Sequence, residues 1–386
     1  MNKFPVRDFP PRREKRAPLI FHINAGQPSA YRLRNIHMDM KRDYYEDVKH
    51  FSSGVMLFWF AALMIFLLLY PFLFKNYYVY VANYIAINII VVVGLNLLVG
   101  YTGQISLGHA GFFAIGAYGT ISLMTLANFP FFPALICAGL IAACFGFLLG
   151  LPALRLEGPY LAIATLGFGL TITTIIGRIN ILGGRQGLHA PDLIIMGHHL
   201  NTDRQFYYLV VAIAVLLVFF ARNITKTKVG RAFVAIRDAH IAAETMGVNL
   251  VLYKTMAFAL SAFYAGVGGG LFAFVLRFIE PELFGFFLSV FFLTMAVAGG
   301  LGTIAGPIAG AILLSFLDLE LRNILNIPYV GEWLKALSTS YFSLTGVSNI
   351  QFIVFGAILI AIMLFEPLGL YGLWIRMKKY WMTWPF

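Results

Sequence analysis

Ten apolar runs succeed one another along the chain, at 55–74, 77–99, 106–126, 131–151, 159–177, 206–222, 255–276, 286–300, 302–318 and 350–366. Wound as α-helix at about 1.5 Å per residue, a run near twenty residues matches a bilayer hydrocarbon core of about 30 Å. The pattern predicts an all-α polytopic membrane protein of about ten segments, some short or re-entrant. Three are less regular. Gly167 and Gly169 interrupt the fifth, and the short eighth and ninth share the junction "AGGLGTIAGP". Re-entrant segments or a broken helix are alternatives there, provided that protein covers the irregular backbone.

Polar positions set the orientation. Of the 28 Lys and Arg residues, eleven fall in the first fifty positions and six lie between Arg222 and Lys254. With ten spans both termini share one side, and placing that side in the cytoplasm puts 21 basic residues inside and seven outside. Omitting the long N-terminal arm leaves ten to seven, still in the direction of the positive-inside bias. The expected organisation is a basic cytoplasmic arm over 1–50, a membrane domain over 51–366 with a cytoplasmic loop at 223–254, and a cytoplasmic tail over 367–386. The arm is polar and basic, so no cleavable signal peptide is expected. Its "PPRREKR" run reads as an anchor for anionic lipid.

Composition strengthens the membrane reading. The chain is 60% hydrophobic and 12% charged, whereas soluble domains carry about 25% charged residues. The net charge of +11 alone would admit a nucleic-acid partner, but clustering beside apolar runs argues against one. Cys137 and Cys144 lie seven apart in one run, about 10.5 Å along a helix. That exceeds the roughly 4.4–6.8 Å between Cα atoms of a disulfide, so they read as inert packing residues.

Candidate chemistry is sparse. The central parts of the runs hold no Asp, Glu, Lys or Arg, and His109 is their one ionisable residue, near the start of its run. This argues against a proton-driven carrier, which places carboxylates at mid-membrane. No phosphate loop, HExxH, CxxC or GxSxG motif is present. No metal site is expected, and a conduit driven from another polypeptide remains. Small residues at four-residue spacing, Gly302, Gly306 and Gly310, and likewise Thr165, Gly169, Thr173 and Gly177, suit close helix packing in lipid. In "RNITKTKVGRAFVAIRDAHIAAETMGVNLVLYK", Asp238 suits an N-cap, 239–246 a helix and Gly247 its C′ position. Arg231 and Arg237 precede that helix, and Ala242 and Ala243 give it a smooth flank. Spacing alone leaves two readings open: a helix lying on the bilayer, or one inserted into a groove on a soluble partner.

Five stretches resemble the LivM-type permease family of ABC importers for branched-chain amino acids. They are "GYTGQISLGHAGFFAIGAYG" (100–119), "GLPALRLEGPYLAIATLGFG" (150–169), "GGRQGL" (183–188), "VGRAFVAIRDAHIAAETMGVN" (229–249) and "VAGGLGTIAGPIAGA" (297–311). The resemblance implies a transport subunit, not an enzyme, in the bacterial inner membrane. It implies a second permease subunit, two cytoplasmic ATPases holding ATP and magnesium, and a soluble substrate-binding protein, with no cofactor on this chain. It also implies a coupling helix whose signature maps onto Ala242, Ala243, Glu244 and Gly247, in an order that departs from a strict E-A-A run. Related importers move urea or short amides, and a sodium-coupled secondary carrier is the alternative of another class. With this topology Thr102, Gln104, Ser106 and His109 lie towards the cytoplasm, where they are candidates to meet a zwitterion leaving the path. The competing reading is that they cap a helix and bond their neighbours. Thr165, Thr173 and Ser261 are further path candidates, although such hydroxyls often bond their own backbone.

Overall fold

A computed structural model describes residues 54–154, 156, 158–195, 198, 199, 202–325, 356, 357, 359–362, 364, 366 and 368–383. The arm at 1–50, Arg155 and most of the tenth apolar run lie outside these residues. The helices are α1 (Gly54–Leu73), α2 (Asn76–Thr102), α3 (His109–Leu126), α4 (Phe131–Gly150), α5 (Pro159–Ile176) and α6 (Asp203–Lys226). Then follow α7 (Lys228–Thr245), α8 (Leu250–Leu276), α9 (Phe286–Gly299), α10 (Ala305–Leu325) and α11 (Gly369–Thr383). Six of them, α2 to α6 and α8, are long and apolar enough to cross a membrane; α9 and residues 57–73 of α1 form shorter apolar helices.

The centre is built on α2 and α8. Both are apolar around most of their circumference and mostly buried, as expected of helices surrounded by other helices. The "GVGGG" run of α8 is where neighbours come closest. Side chains there would strike Ala142 of α4 from Gly266, Val91 of α2 from Gly268, and the Phe113 carbonyl of α3 from Gly269. Packing, not hydrophobic exclusion, holds helices together in lipid, and small residues permit it here. The outer helices α5 and α6 bury only about a fifth of the residues in their apolar stretch within this chain.

Two expectations about the runs need correction. The fifth is unbroken, since α5 continues through Gly167 and Gly169. Gly169 lets α5 approach Gly108 and Gly111 of α3, whereas Gly167 faces open space. The supposed stripe Gly302, Gly306 and Gly310 does not lie on one helix. Gly302 sits in the turn before α10 with φ +75°, while Gly306 and Gly310 press α10 against Gly299 and Met295 of α9. Their role is to close a hairpin of α9 and α10. Cys144 is exposed on α4, so it is not a packing residue within this chain, and Cys137 is partly covered. Asp318, the last residue of the ninth run, lies inside α10 and is buried.

Contacts between helices give each a direction. One end of the bundle carries α7, the start of α8 and the α9–α10 turn; the other carries the described residues between α5 and α6. There Leu188–His189 pairs antiparallel with Phe278–Ile279, tying that segment to the end of α8. A second two-residue pairing joins Ile194–Ile195 to His198–His199.

Candidate functional site

The polar stretch after α2 departs from helix where it leaves the α7 end. Gly103 takes the left-handed conformation (φ +72°), and its N–H returns to the helix carbonyls of Leu98 and Val99. The chain then turns back into the bundle as irregular backbone over 103–108 and resumes as α3 at His109. His109 meets Ser261, eleven residues along the 27-residue α8, about 16 Å from that helix's start. The start of α3 therefore lies deep in the bundle, and the expectation that His109 lies at the same end as Thr102 is corrected accordingly.

Irregular backbone at that depth needs partners, because an unpaired polar group in hydrocarbon costs several kcal/mol, order of magnitude. The polar side chains supply them. Leu107 N–H donates to Thr165 Oγ1 at 3.0 Å, and Ala110 N–H to Ser289 Oγ at 2.9 Å. His109 is fully buried between Ser106 Oγ (3.0 Å from Nδ1) and Ser261 Oγ (2.6 Å from Nε2). A neutral imidazole presents one donor and one acceptor, and the two hydroxyls can complement either tautomer. Thr102 donates to Leu98 O at 2.6 Å, and Gln104 Nε2 donates to Thr102 Oγ1 at 2.9 Å. Gln104 Oε1 is buried and has no hydrogen-bond partner. Thr102, Gln104, Ser106 and His109 are all buried. The helix start is served by Ser289 from α9 and not by a side-chain cap of its own, since Gly108 holds the N-cap position.

A second helix begins at the same level from the opposite side. After α8 the chain passes through Phe278–Ile279 and the short helical turn Pro281–Phe284, then enters α9 at Phe286. α9 has 14 residues, about 21 Å, too short for a core of about 30 Å. Its Ser289 reaches Ala110 of α3, so the two helices start together and run apart towards opposite ends. Leu107, Ala110, Gly169, Phe284 and Ser289 line a narrow gap between α3, α5 and α9. The first turns of α3 and α9 both border this gap, and a helix start carries a partial positive charge. Serine and histidine in the sequence marked the α3 side; Ser289, in an apolar run, was missed. Its only sequence signal was a lone hydroxyl just after the glycine that breaks "ELFGFF".

The other path candidates divide. Thr165 is buried at this level, accepting from Leu107 and donating to Ala162 O at 2.9 Å. Thr173 bonds its own helix, at Leu170 O (3.0 Å) and Gly169 O (3.3 Å), and is not brought to the gap.

The 223–254 segment forms more helix than spacing suggested. α7 is 18 residues long with a break at Ala239 (φ −159°, ψ 87°). Asp238 is not the N-cap, because Ala239 takes the extended conformation, and the Asp238 carboxylate instead receives Arg237 Nε at 3.0 Å. Gly247 occupies C′ with φ +86°. Its N–H meets Glu244 O and the Val248 N–H meets Ala243 O, the paired bonds of a Schellman ending. Arg237 Nη1 also donates to the Gly100 carbonyl of α2 at 2.9 Å, beside the α9–α10 turn. Asn96 grips that turn from α2, donating to Thr303 O (2.8 Å) and accepting from Gly302 N–H (3.0 Å). Arg237 thus links α7 to the ends of three helices. Of the expected smooth flank, Ala242 is exposed but Ala243 is 6% exposed and packs within this chain; Arg231 and Glu244, expected to take part in coupling, are exposed. The protruding surface is Ile241 (69% exposed) and Met246 (85%), which sequence reading passed over. Their signal was two large apolar residues in a polar loop.

The class defined by this architecture is a polytopic helical membrane protein with two helices that start inside the bundle and a helical segment projecting at one end. The family described as the permease component of the branched-chain amino acid transport system matches residues 77–363. The chain is 33% identical over 279 residues to the high-affinity branched-chain amino acid transport system permease protein LivM of Escherichia coli (strain K12). That match covers 66% of each chain, so it spans just under two thirds of that relative's length. It is 24% identical over 249 residues to a probable LivM of Methanocaldococcus jannaschii, covering 61% of this chain and 68% of that one. A probable LivH of the same organism is 25% identical over 285 residues, covering 69% and 82% respectively. The chain belongs to the branched-chain amino acid transport permease family.

Proposed function

We propose that this chain is a permease subunit of an ABC importer for branched-chain amino acids, in a bacterial inner membrane. Similarity to relatives named LivM and LivH supports pairing with a second, related permease. ATP and magnesium belong to two ATPases at the α7 end, and a soluble binding protein delivers substrate at the other. The observation that carries the transport reading is the meeting of the α3 and α9 N-termini. Their positive dipole ends suit the carboxylate of a zwitterion in transit, and Phe284 and Leu107 beside them suit an aliphatic side chain. α5, largely exposed, flanks the gap and is the surface against which the second permease closes the path.

Ser289→Asp tests this reading. An aspartate keeps an acceptor for the Ala110 N–H, so the fold is retained, but its fixed charge occupies the place of the substrate carboxylate. Uptake by the reconstituted importer is expected to fall about a hundredfold, the scale of a lost interaction near 2.7 kcal/mol. Normal uptake with normal yield places the path elsewhere.

Orientation follows the same proposal. The α7 end carries Arg222, Lys226, Lys228, Arg231, Arg237 and Lys254, and both Gly54 and α11 lie on that side, so it is taken as cytoplasmic. With Cys137 and Cys144 replaced by alanine, Lys228→Cys is expected to resist an impermeant thiol reagent in intact cells. Gln186→Cys is expected to react. The reverse labelling pattern inverts the topology.

A further inference from the structure

We infer that α11 is a membrane-surface helix, seated by one face on the α9–α10 turn and docked by the other in the headgroup–acyl boundary of the bilayer. It has 15 residues, about 22 Å of helix, and includes Arg376, Lys378 and Lys379, so it is too short and too charged to span. Its inner face is settled: Gly369 and Gly372 are buried, and Tyr371 lies against Gly300 of the turn. At 3.6 residues per turn, Leu373, Trp374, Met377, Tyr380 and Trp381 share an arc of about 120° on the opposite side. All five are exposed, from 43% at Leu373 to 78% at Trp381.

The bilayer is the occupant that fits this face. Arg376 and Lys378 stand at the two edges of the apolar arc, where long basic side chains reach headgroup phosphates while the rings between them sink below. Arg376 is held there by an ion pair with Glu366 (3.0 Å), leaving its side chain 66% exposed. Three of the five apolar residues are Trp or Tyr, the residues enriched at membrane–water boundaries. Exposed apolar residues also stand in the adjoining turn, at Leu301, and on α10, at Ile312 and Phe316. A soluble ATPase has a different surface to meet, at Ile241 and Met246 on α7.

Spin labels decide between lipid, water and protein around this face. In the full importer reconstituted into phosphatidylcholine–phosphatidylglycerol vesicles, with Cys137 and Cys144 replaced by alanine, a nitroxide is attached at Met377→Cys. A second sample carries it at Met246→Cys. The Met377 label is expected to favour oxygen over a water-soluble nickel chelate about tenfold more than the Met246 label does, reporting a depth of about 5–10 Å below the phosphates. The same value should hold for the permease pair without ATPases. Nickel access at Met377 equal to that at Met246 overturns the proposal. So does exclusion of both reagents, whether it requires the ATPase, which makes the face a protein-docking surface, or not, which makes it a contact inside the permease pair. Position 377 is exposed, so the label itself does not compromise folding.

Discussion

Gly116→Val is expected to abolish a stable bundle, lowering yield after detergent extraction and the unfolding temperature of what remains. A side chain at Gly116 of α3 would overlap the Gly266 carbonyl of α8, and one at Gly269 of α8 would overlap the Phe113 carbonyl of α3. The contact is therefore reciprocal and made of backbone on both sides. Backbone has no rotamer to move out of the way, so the helices must separate. Overpacking costs about 1–3 kcal/mol, and an unyielding neighbour puts this case at the upper end or beyond. Separation also strips dispersion contacts along α3 and α8 that lipid replaces poorly, since in lipid packing is what favours association. Gly167→Val on α5 is the control: nothing lies within 4 Å of its added Cβ, and valine in a helix interior is better than glycine by a few tenths of a kcal/mol. Size-exclusion profiles and thermal unfolding of the two variants, side by side, check the expectation. Equal behaviour would mean that α3 and α8 do not meet in this way.

The second large effect is expected at the projecting end of α7. Ile241→Asp with Met246→Asp should leave the permease folded and inserted, because both side chains are largely exposed within this chain. Co-purification with the ATPase should be lost. Truncating an interface anchor typically costs about 2–4 kcal/mol, and placing a carboxylate in its pocket adds an unpaired buried charge. A loss of about 3 kcal/mol or more corresponds to more than a hundredfold in affinity. The small flank is a poorer probe than the sequence made it look. Ala243 is buried against its own chain, so Ala243→Arg would unseat α7 whether or not an ATPase docks there. Arg237→Ala separates docking from transmission in the same experiment. It keeps Ile241 and Met246 in place but removes the hydrogen bond to the Gly100 carbonyl, so association should survive while transport per ATP hydrolysed falls. Full association by the double aspartate variant would sink the docking role of this surface.

How much of this was legible beforehand depends on the kind of force involved. Apolar run length and the charge bias report the solvent, and that is lipid. Accordingly the bounds of α2, α4, α5, α6 and α8 lie within a few residues of the apolar runs. Gly247 was also readable, because a left-handed helix ending is a local backbone demand that few other residues meet. The stretches that resemble the family, at 100–119 and 229–249, contain the buried polar turn before α3 and the break and Schellman ending of α7, the two regions on which the proposed transport and coupling roles rest.

Tertiary structure decided the rest, for a physical reason. In lipid every apolar face of a helix is equally content, so the pattern of hydrophobic residues does not say which face meets which neighbour. That choice falls to small residues and to a few hydrogen bonds between residues far apart in the chain: Leu107 with Thr165, His109 with Ser261, Ala110 with Ser289, Asn96 with Gly302. These bonds set the start of α3 deep in the bundle and bring the short helix α9 to meet it, so that the two helices share a starting level. They also turn Gly302 from a supposed packing residue into a turn. The break at Ala239 and the burial of Ala243 are likewise features of the folded chain that residue spacing did not announce. The sequence determined the solvent, the helices and their ends; contacts between distant residues determined which polar groups face one another inside the bundle.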